Sequence, residues 1–290
     1  TILELGARHV PQVLINGRLS DRSFKSWKKR SHIAEALFEN MAHVVAQSDV
    51  DGERFRSLGA RPVTVSGNLK GDTAPPPVDE KALHALRRQI GSRPTWAAIS
   101  THEGEEVVAA EVHAALQSRH RGLLTIIVPR HPDRAEALTE QISGMGLKVA
   151  RRSKDERLTP DTDILLGDTI GEMGLYLRLT EIAFVGRSLT SEGGQNPLEP
   201  AMLETAVLAG RNVQNFREAY QRLLDRGGAK LVRDRVNFLL SNEVARHEMI
   251  AAGSATVDEM RGALAHTLRS LEPYIQPLIV KSRLKGANGR

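Results

Sequence analysis

From residue 95 onward the chain repeats one pattern: a short run that stays apolar at nearly every position, a polar or glycine-bearing cluster, then a helical stretch. Trp96-Ala97-Ala98-Ile99 precedes Ser100-Thr101-His102-Glu103-Gly104-Glu105. Leu123-Leu124-Thr125-Ile126-Ile127-Val128 precedes Pro129-Arg130-His131-Pro132-Asp133-Arg134. Strands that do not alternate are those buried on both faces, as in a parallel sheet covered by helices. Strands at 95–99, 123–128, 181–185, 206–209 and 229–232, with short ones near 147–150 and 163–166, alternate with helices at 79–89, 104–118, 133–143, 171–178, 198–204, 213–225 and 237–251. This order predicts a doubly wound α/β domain with a nearly complete six-strand parallel core.

Residues 1–72 repeat the alternation on a smaller scale, with strands at 12–16, 43–46 and 61–65 and a helical stretch from Phe24 to Met41. Ser48 is positioned to cap a helix whose first turns carry Asp49, Asp51 and Glu53. Thr1-Ile2-Leu3-Glu4-Leu5 reads as an apolar strand, and with no initiator methionine the chain is expected to open inside a domain. That expectation includes a first sheet short of its early strands and an apolar edge left exposed. Pro75-Pro76-Pro77 cannot sit inside a helix or a central strand. The reading is therefore domain 1–72, Pro-rich linker 73–78, domain 79–251, and a C-terminal helix and basic tail over 252–290. In that last segment Met260, Leu264, Leu268 and Leu271 recur at helical spacing over 255–271, Pro273 ends or kinks the helix, and Lys281 to Arg290 frays.

Forty basic against 35 acidic residues leave a net charge of +5, which suits anionic substrates or an anionic membrane surface better than nucleic acid. The absence of cysteine excludes disulfides and thiolate chemistry. No apolar run approaches the roughly 20 residues of a spanning helix. No His-x-x-x-His or similar ligand spacing points to a metal, and no cofactor is expected.

The polar clusters carry the candidate chemistry. In Gly193-Gly194-Gln195-Asn196-Pro197-Leu198-Glu199-Pro200 the glycines either approach a ligand closely or take positive φ, with backbone N–H groups nearby for phosphate. Glu199 stands alone among apolar residues, suited to a ribose diol, and Asn196 either holds the loop or meets phosphate. Arg130 and His131, with Arg134, lie in a turn bounded by prolines, where a guanidinium can fork onto phosphate or carboxylate. Ser100 and Thr101 either contact donor or acceptor or cap the next helix, and His102 either joins that contact or is a satisfied structural donor. Glu103 and Glu105 are explained as first-turn carboxylates, Glu103 also as the partner of Ser100 in a capping box. Asp168 and Glu172 read as a cap and charge–dipole pair beside Gly171 and Met173. Asn215 can cap the helix that follows it. The clusters read as an enzyme site for an anionic sugar nucleotide. Arg18, Arg22, Lys25, Lys28, Lys29 and Arg30, interleaved with Phe24 and Trp27, are either a solvated helix face or a surface for an anionic bilayer.

Taken in order, the motifs at 100–105, 129–134, 167–172 (Gly-Asp-Thr-Ile-Gly-Glu), 184–189 (Phe-Val-Gly-Arg-Ser-Leu) and 193–200 resemble the 3-deoxy-D-manno-octulosonic acid (Kdo) transferases of lipopolysaccharide assembly. Asn16-Gly17-Arg18-Leu19-Ser20 and Ser66-Gly67-Asn68-Leu69-Lys70 extend the likeness, which covers roughly residues 12–250. Three positions depart from the family pattern: Gln195 replaces His, Gly17 replaces Ala and Arg187 replaces Gly. Gln195 removes a titratable group, so the resemblance carries no proton-transfer role to it.

The resemblance implies a GT-B-type glycosyltransferase of two Rossmann-like domains, the N-terminal one truncated here. It implies transfer of Kdo from CMP-Kdo to a lipid A precursor with inversion, at the cytoplasmic face of the bacterial inner membrane. Donor contacts fall on Arg130, His131, Gly171, Met173, Gly193, Gly194, Asn196, Glu199 and Asn215, with Ser100, Thr101, His102, Arg134 and Lys70 as possible donor or acceptor contacts. The catalytic base is expected upstream of Thr1, so this chain is expected to transfer no Kdo by itself. Another nucleotide-sugar transferase or epimerase, or a non-catalytic CMP-binding fragment, is the alternative.

Overall fold

The computed structural model describes residues 1–231 and 235–287. The chain divides into two compact units, Thr1–Thr73 together with the segment from Asp258 onward, and Ala74–Val257.

The first unit holds a parallel sheet of β1 (Val13–Gly17), β2 (His43–Ala46) and β3 (Val63–Val65) in that order. Thr1 to Leu5 does not form a strand: Ile2–Ala7 is helical, because Ile2 and Leu5 fall three residues apart on one half-buried face. The predicted helix from Phe24 to Met41 is two helices, Asp21–Lys28 capped by Ser20 and Ser31–Phe38, parted where Arg30 leaves helical dihedrals. The break lets Phe24, Trp27, Ala34 and Phe38 reach one core with Val44 and Phe55. Trp27 meets Phe38 edge to face at 5.8 Å. Phe24 and Trp27 thus face inward, while Arg22, Lys25, Lys28, Lys29 and Arg30 are exposed. Ser48 caps the helix Asp49–Ser57 as expected. Its Asp51 does more than answer the dipole: buried, it accepts the Leu19 N–H at 2.8 Å. β1 is an edge strand with Ile15 exposed.

The C-terminal segment is not an appendage. Asp72 accepts the N–H groups of Gly262 and Leu264, each at 2.6 Å, and the Tyr274 hydroxyl donates to the Ala42 carbonyl at 2.7 Å. The expected helix 255–271 is two: Glu243–Glu259 ends before Gly262, whose φ is +101°, and Ala263–Ala287 runs through Pro273 and Pro277. The helix therefore continues where a frayed tail was expected from Lys281, and residues 288–290 lie outside the described residues. Leu264 and Leu268 are exposed, whereas Met260, Ala263 and Thr267 are buried.

In the second unit β4 (Thr95–Thr101), β5 (Leu124–Pro129), β6 (Val149–Arg151), β7 (Ile164–Leu166), β8 (Ile182–Val185), β9 (Ala206–Ala209) and β10 (Ala229–Leu231) pair in parallel, in the order β10-β9-β8-β4-β5-β7-β6. The sheet has seven strands rather than six, because the short β6 also pairs. Residue 232, included in the predicted last strand, lies outside the described residues. All six residues of β5 are buried, as its unbroken apolar run requires. The Pro-rich stretch packs within this unit. A Cβ on Gly174 would lie 2.2 Å from the Pro77 carbonyl oxygen, and Arg178 donates to the Pro76 carbonyl at 2.9 Å.

Chain order reverses between β4 and β8, so a crevice opens beyond their C-terminal ends. One carboxylate defines its floor. Glu105, 1% exposed, opens the helix Glu105–Leu116 and accepts four backbone N–H groups: His102 (2.9 Å), Arg187 (2.6 Å), Ser188 (2.9 Å) and Leu189 (2.9 Å). The loop after β8 is thereby tied to the loop after β4. Gly186 permits the approach, since a Cβ there would meet the Ser100 carbonyl oxygen at 2.4 Å. The expected caps are not used. Gly104 occupies the N-cap, and the buried Thr101 hydroxyl bonds Glu106 at 3.1 Å inside β4.

Two outcomes follow. Glu105→Gln turns one acceptor into an amide that faces backbone donors, so it should cost about 1.5–3 kcal/mol; a urea midpoint equal to that of the parent would remove Glu105 from this role. His113 is fully buried on the same helix, its Nδ1 2.9 Å from the Thr125 hydroxyl. Burial holds its pKa below the ordinary 6.5, only partly opposed by Asp163. The unfolded chain then takes up the proton first as pH falls, so this stability is full above the ordinary value and lost below it. His43 and His102, also held low by burial, act in the same direction. The melting temperature should fall as pH drops below about 6.5, and less steeply in His113→Gln; identical slopes would exclude His113 as a contributor.

Candidate functional site

The loops leaving β4, β5, β7 and β8 stand on the C-terminal edge of the second unit's sheet, and most sequence-predicted residues fall on them. Arg130 follows β5, where its N–H bonds the Thr101 carbonyl at 2.9 Å. Its exposed guanidinium makes no hydrogen bond or ion pair among the described residues. Arg134, by contrast, is ion-paired at 3.0 Å with the fully buried Glu106. The two arginines of one motif therefore divide, one open to a ligand and one holding the helix behind it.

His131 and His102 meet edge to face, ring centres 5.6 Å apart. His102 Nε2 lies 3.2 Å from Gln195 Nε2. With the amide as donor, the ring nitrogen is the acceptor and the imidazole is neutral. Burial first, then the charges of Arg187, His131 and Arg130, lower its pKa, opposed in part by Glu105. Ser100 takes φ +50° at the bulge that ends β4, and the Thr101 side chain is spent inside the sheet.

In the 193–200 tract the glycines serve the loop itself. Gly193 donates to the Gln214 side chain at 3.1 Å and Gly194 to the Arg187 carbonyl at 2.7 Å. A Cβ on Gly194 would lie 2.9 Å from Val213 Cα. Of the two readings offered, positive φ with close loop packing describes them, and those N–H groups are not left for phosphate. Asn196 accepts the Leu198 N–H at 3.2 Å and donates to Glu199 Oε1 at 3.0 Å. Glu199 is half-buried, does not cap its helix, and its Oε2 makes no hydrogen bond among the described residues. An oriented carboxylate with an open oxygen can accept a sugar hydroxyl. Asn215 lies against Gly193, whose carbonyl accepts its N–H at 2.6 Å; Phe216, not Asn215, is the N-cap of Arg217–Asp225.

The carboxylates of the loop after β7 are answered by the end of β6 and the turn that follows it. Asp168 is not a cap: it accepts from Arg151 at 2.9 Å and from the Ser153 N–H and hydroxyl at 2.8 and 2.6 Å. Burial would raise its pKa, but the Ser153 bonds and Arg151 outweigh this and hold it low. Glu172 pairs with Arg152 at 2.8 Å. What this loop leaves open is the backbone at Ile170 and Gly171 (φ +87°) and the half-buried Met173. Lys70 stands in the first unit, exposed on the turn Leu69–Asp72 that Asn68 caps.

Sequence reasoning assigned no role to Gln195 or Arg187, which the structure brings to the His102 loop; their signal was a place directly after β8. A cavity of about 960 Å³ at the opposite sheet edge, bounded by Pro94, Thr95, Thr180 and Ile182, is structural. Its Arg93 donates to the carbonyls of Gly122, Leu123, Thr159 and Thr162. Among the described residues no group of three or more acidic or histidine side chains is arranged to hold a metal ion, and no helix is long and apolar enough to cross a membrane.

The sequence profile of the family described as 3-deoxy-D-manno-octulosonic-acid transferase (kdotransferase) matches residues 1–73. The 3-deoxy-D-manno-octulosonic acid transferase of Haemophilus influenzae is 32% identical over 95% of this chain and 67% of its own length. That of Bordetella pertussis is 35% identical over 93% of this chain and 65% of its own. The chain thus spans about two thirds of the length of these relatives. Among solved structures, the C-terminal CMP-Kdo binding domain of WaaA from Acinetobacter baumannii superimposes with a TM-score of 0.58 at 27% identity, covering 61% of this chain and 96% of that one. Anabaena HepE in complex with UDP gives a TM-score of 0.57 at 12% identity over 95% of this chain and 75% of that one, a likeness of fold alone. The two sheet-and-helix lobes resemble a GT-B glycosyltransferase, and with the sequence relatives they lead to one conclusion: the chain belongs to the Kdo transferase family of lipopolysaccharide biosynthesis.

Proposed function

We propose that the second unit binds CMP-Kdo and that the protein transfers Kdo to a lipid A precursor with inversion. The observation that carries this reading is that Glu199, oriented by Asn196, and Arg130 stand on the same sheet edge, the second Glu199 oxygen and the Arg130 guanidinium having no partner among the described residues. Glu199 accepts the ribose hydroxyls. Arg130 forks onto the phosphate and steadies CMP as it leaves. Gly171 and Met173 flank the base, and Asn215 supports the glycine loop from behind.

Inversion by direct displacement needs a carboxylate to deprotonate the acceptor hydroxyl. Glu105 cannot serve, because its oxygens are buried and committed to four N–H groups. The base is assigned to no residue of this chain. His102, neutral and beside Gln195, orients the crevice wall rather than carrying a proton.

The exposed cations of Asp21–Lys28 and the two residues after it face an anionic inner-membrane surface on its cytoplasmic side, where the lipid-linked acceptor resides. With Phe24 and Trp27 turned inward, that attachment is electrostatic, about 1 kcal/mol per suitably placed Lys or Arg.

Glu199→Ala should weaken CMP binding at least tenfold, about 1.4 kcal/mol, with little change in melting temperature. Calorimetry showing parental CMP affinity would sink the assignment. Arg130→Ala should weaken CMP far more than cytidine, and equal losses for the two ligands would take Arg130 off the phosphate.

A further inference from the structure

Arg187 sits where a side chain is a conformational burden. Its φ of +55° lies in the left-handed region, which costs an L-residue roughly 1 kcal/mol and a glycine nothing. The backbone needs that geometry: the Arg187 N–H reaches Glu105 at 2.6 Å and its carbonyl accepts from Gly194 at 2.7 Å. Neither bond uses the side chain, so glycine would serve the fold at least as well.

The side chain returns little to the fold. Nε donates to the Glu192 carbonyl at 3.1 Å and lies 3.1 Å from the point where a Gly193 Cβ would stand. The guanidinium is thus laid across Gly193. Its two terminal nitrogens make no hydrogen bond, and no carboxylate pairs with it, among the described residues. Glu105 is near but aims both oxygens at backbone donors. Arg187 and Arg130 are carried by the loops after β8 and β5, the strands on either side of β4, whose loop bears His102, and the charge of each depresses the basicity of that ring. Two guanidiniums that make no ion pair among the described residues thus make the switch point cationic.

We propose that Arg187 is a donor-binding residue which, with Arg130, clasps an anionic group of the nucleotide sugar, either its phosphate or its sugar carboxylate. This rests on the reading that the same edge binds CMP-Kdo. The strained backbone is kept because the fork it presents has an anion to hold.

The test measures cytidine, CMP and CMP-Kdo binding by calorimetry on the full chain, for the parent, Arg187→Gly, Arg187→Lys and the Glu199→Ala reference. Arg187→Gly should melt no lower than the parent and bind cytidine equally, yet lose at least tenfold for CMP-Kdo; Arg187→Lys, with charge but no fork, should fall between. A matching loss for CMP assigns the phosphate, and a loss confined to CMP-Kdo assigns the sugar carboxylate. Parental CMP-Kdo affinity in Arg187→Gly, with Glu199→Ala impaired, overturns the role of Arg187 alone. Equal losses for cytidine and CMP-Kdo would make the effect structural and also overturn it. A parent that binds neither CMP nor CMP-Kdo overturns the underlying reading itself.

Discussion

The Glu105 carboxylate gathers four backbone N–H groups from two loops that are more than eighty residues apart in sequence. A charged acceptor inside the protein is stable only when its lone pairs are filled, and backbone donors that do not move fill them well. The consequence is geometric. The loop after β8 cannot drift from the loop after β4, so the residues that follow inherit fixed positions: Arg187, the glycine pair, Gln195 against His102, and Asn196 with Glu199. A parallel sheet leaves its strand ends as separate loops, and this one carboxylate makes two of them a single wall.

Behind that wall the other first-turn carboxylate, Glu106, consumes Arg134. The charges nearest the crevice are therefore sorted by depth. Carboxylates lie below and are answered by backbone or by a dedicated arginine. Arg130 and Arg187 make no ion pair among the described residues, and Glu199 is half-buried with one oxygen bonded to Asn196. That edge therefore presents cations and one half-buried carboxylate rather than a neutralised surface. The loop after β7 adds shape more than charge, because Asp168 and Glu172 are paired with Arg151 and Arg152.

Much of this was legible in residue order. Non-alternating apolar runs located β4, β5, β8 and β9, because burial on both faces leaves no polar position in a strand. Polar clusters after those runs marked the C-terminal edge of the sheet, since loops there must satisfy their own backbone. Short amphipathic stretches were less legible. Ile2 and Leu5 fit a strand or one helical turn equally well, and the break at Arg30 has no glycine or proline to announce it. The helix through Pro273 and Pro277 was hidden because proline argues for an end, whereas packing against the first unit's own turn and strand carries it on.

Sequence alone determined the parallel α/β class and which loops bear the candidate chemistry. Both follow from periodicity and from glycine geometry, which are local. Only the tertiary structure decided the role of each charge. Glu105 and Glu199 are both carboxylates near a helix start, and Arg130 and Arg134 share one motif, so nothing local tells them apart. What separates them is burial and the partners that the fold brings in: four N–H groups for Glu105, one amide for Glu199, a buried carboxylate for Arg134, and none among the described residues for Arg130. Those partners come from segments distant in sequence, and only the closed sheet sets them side by side.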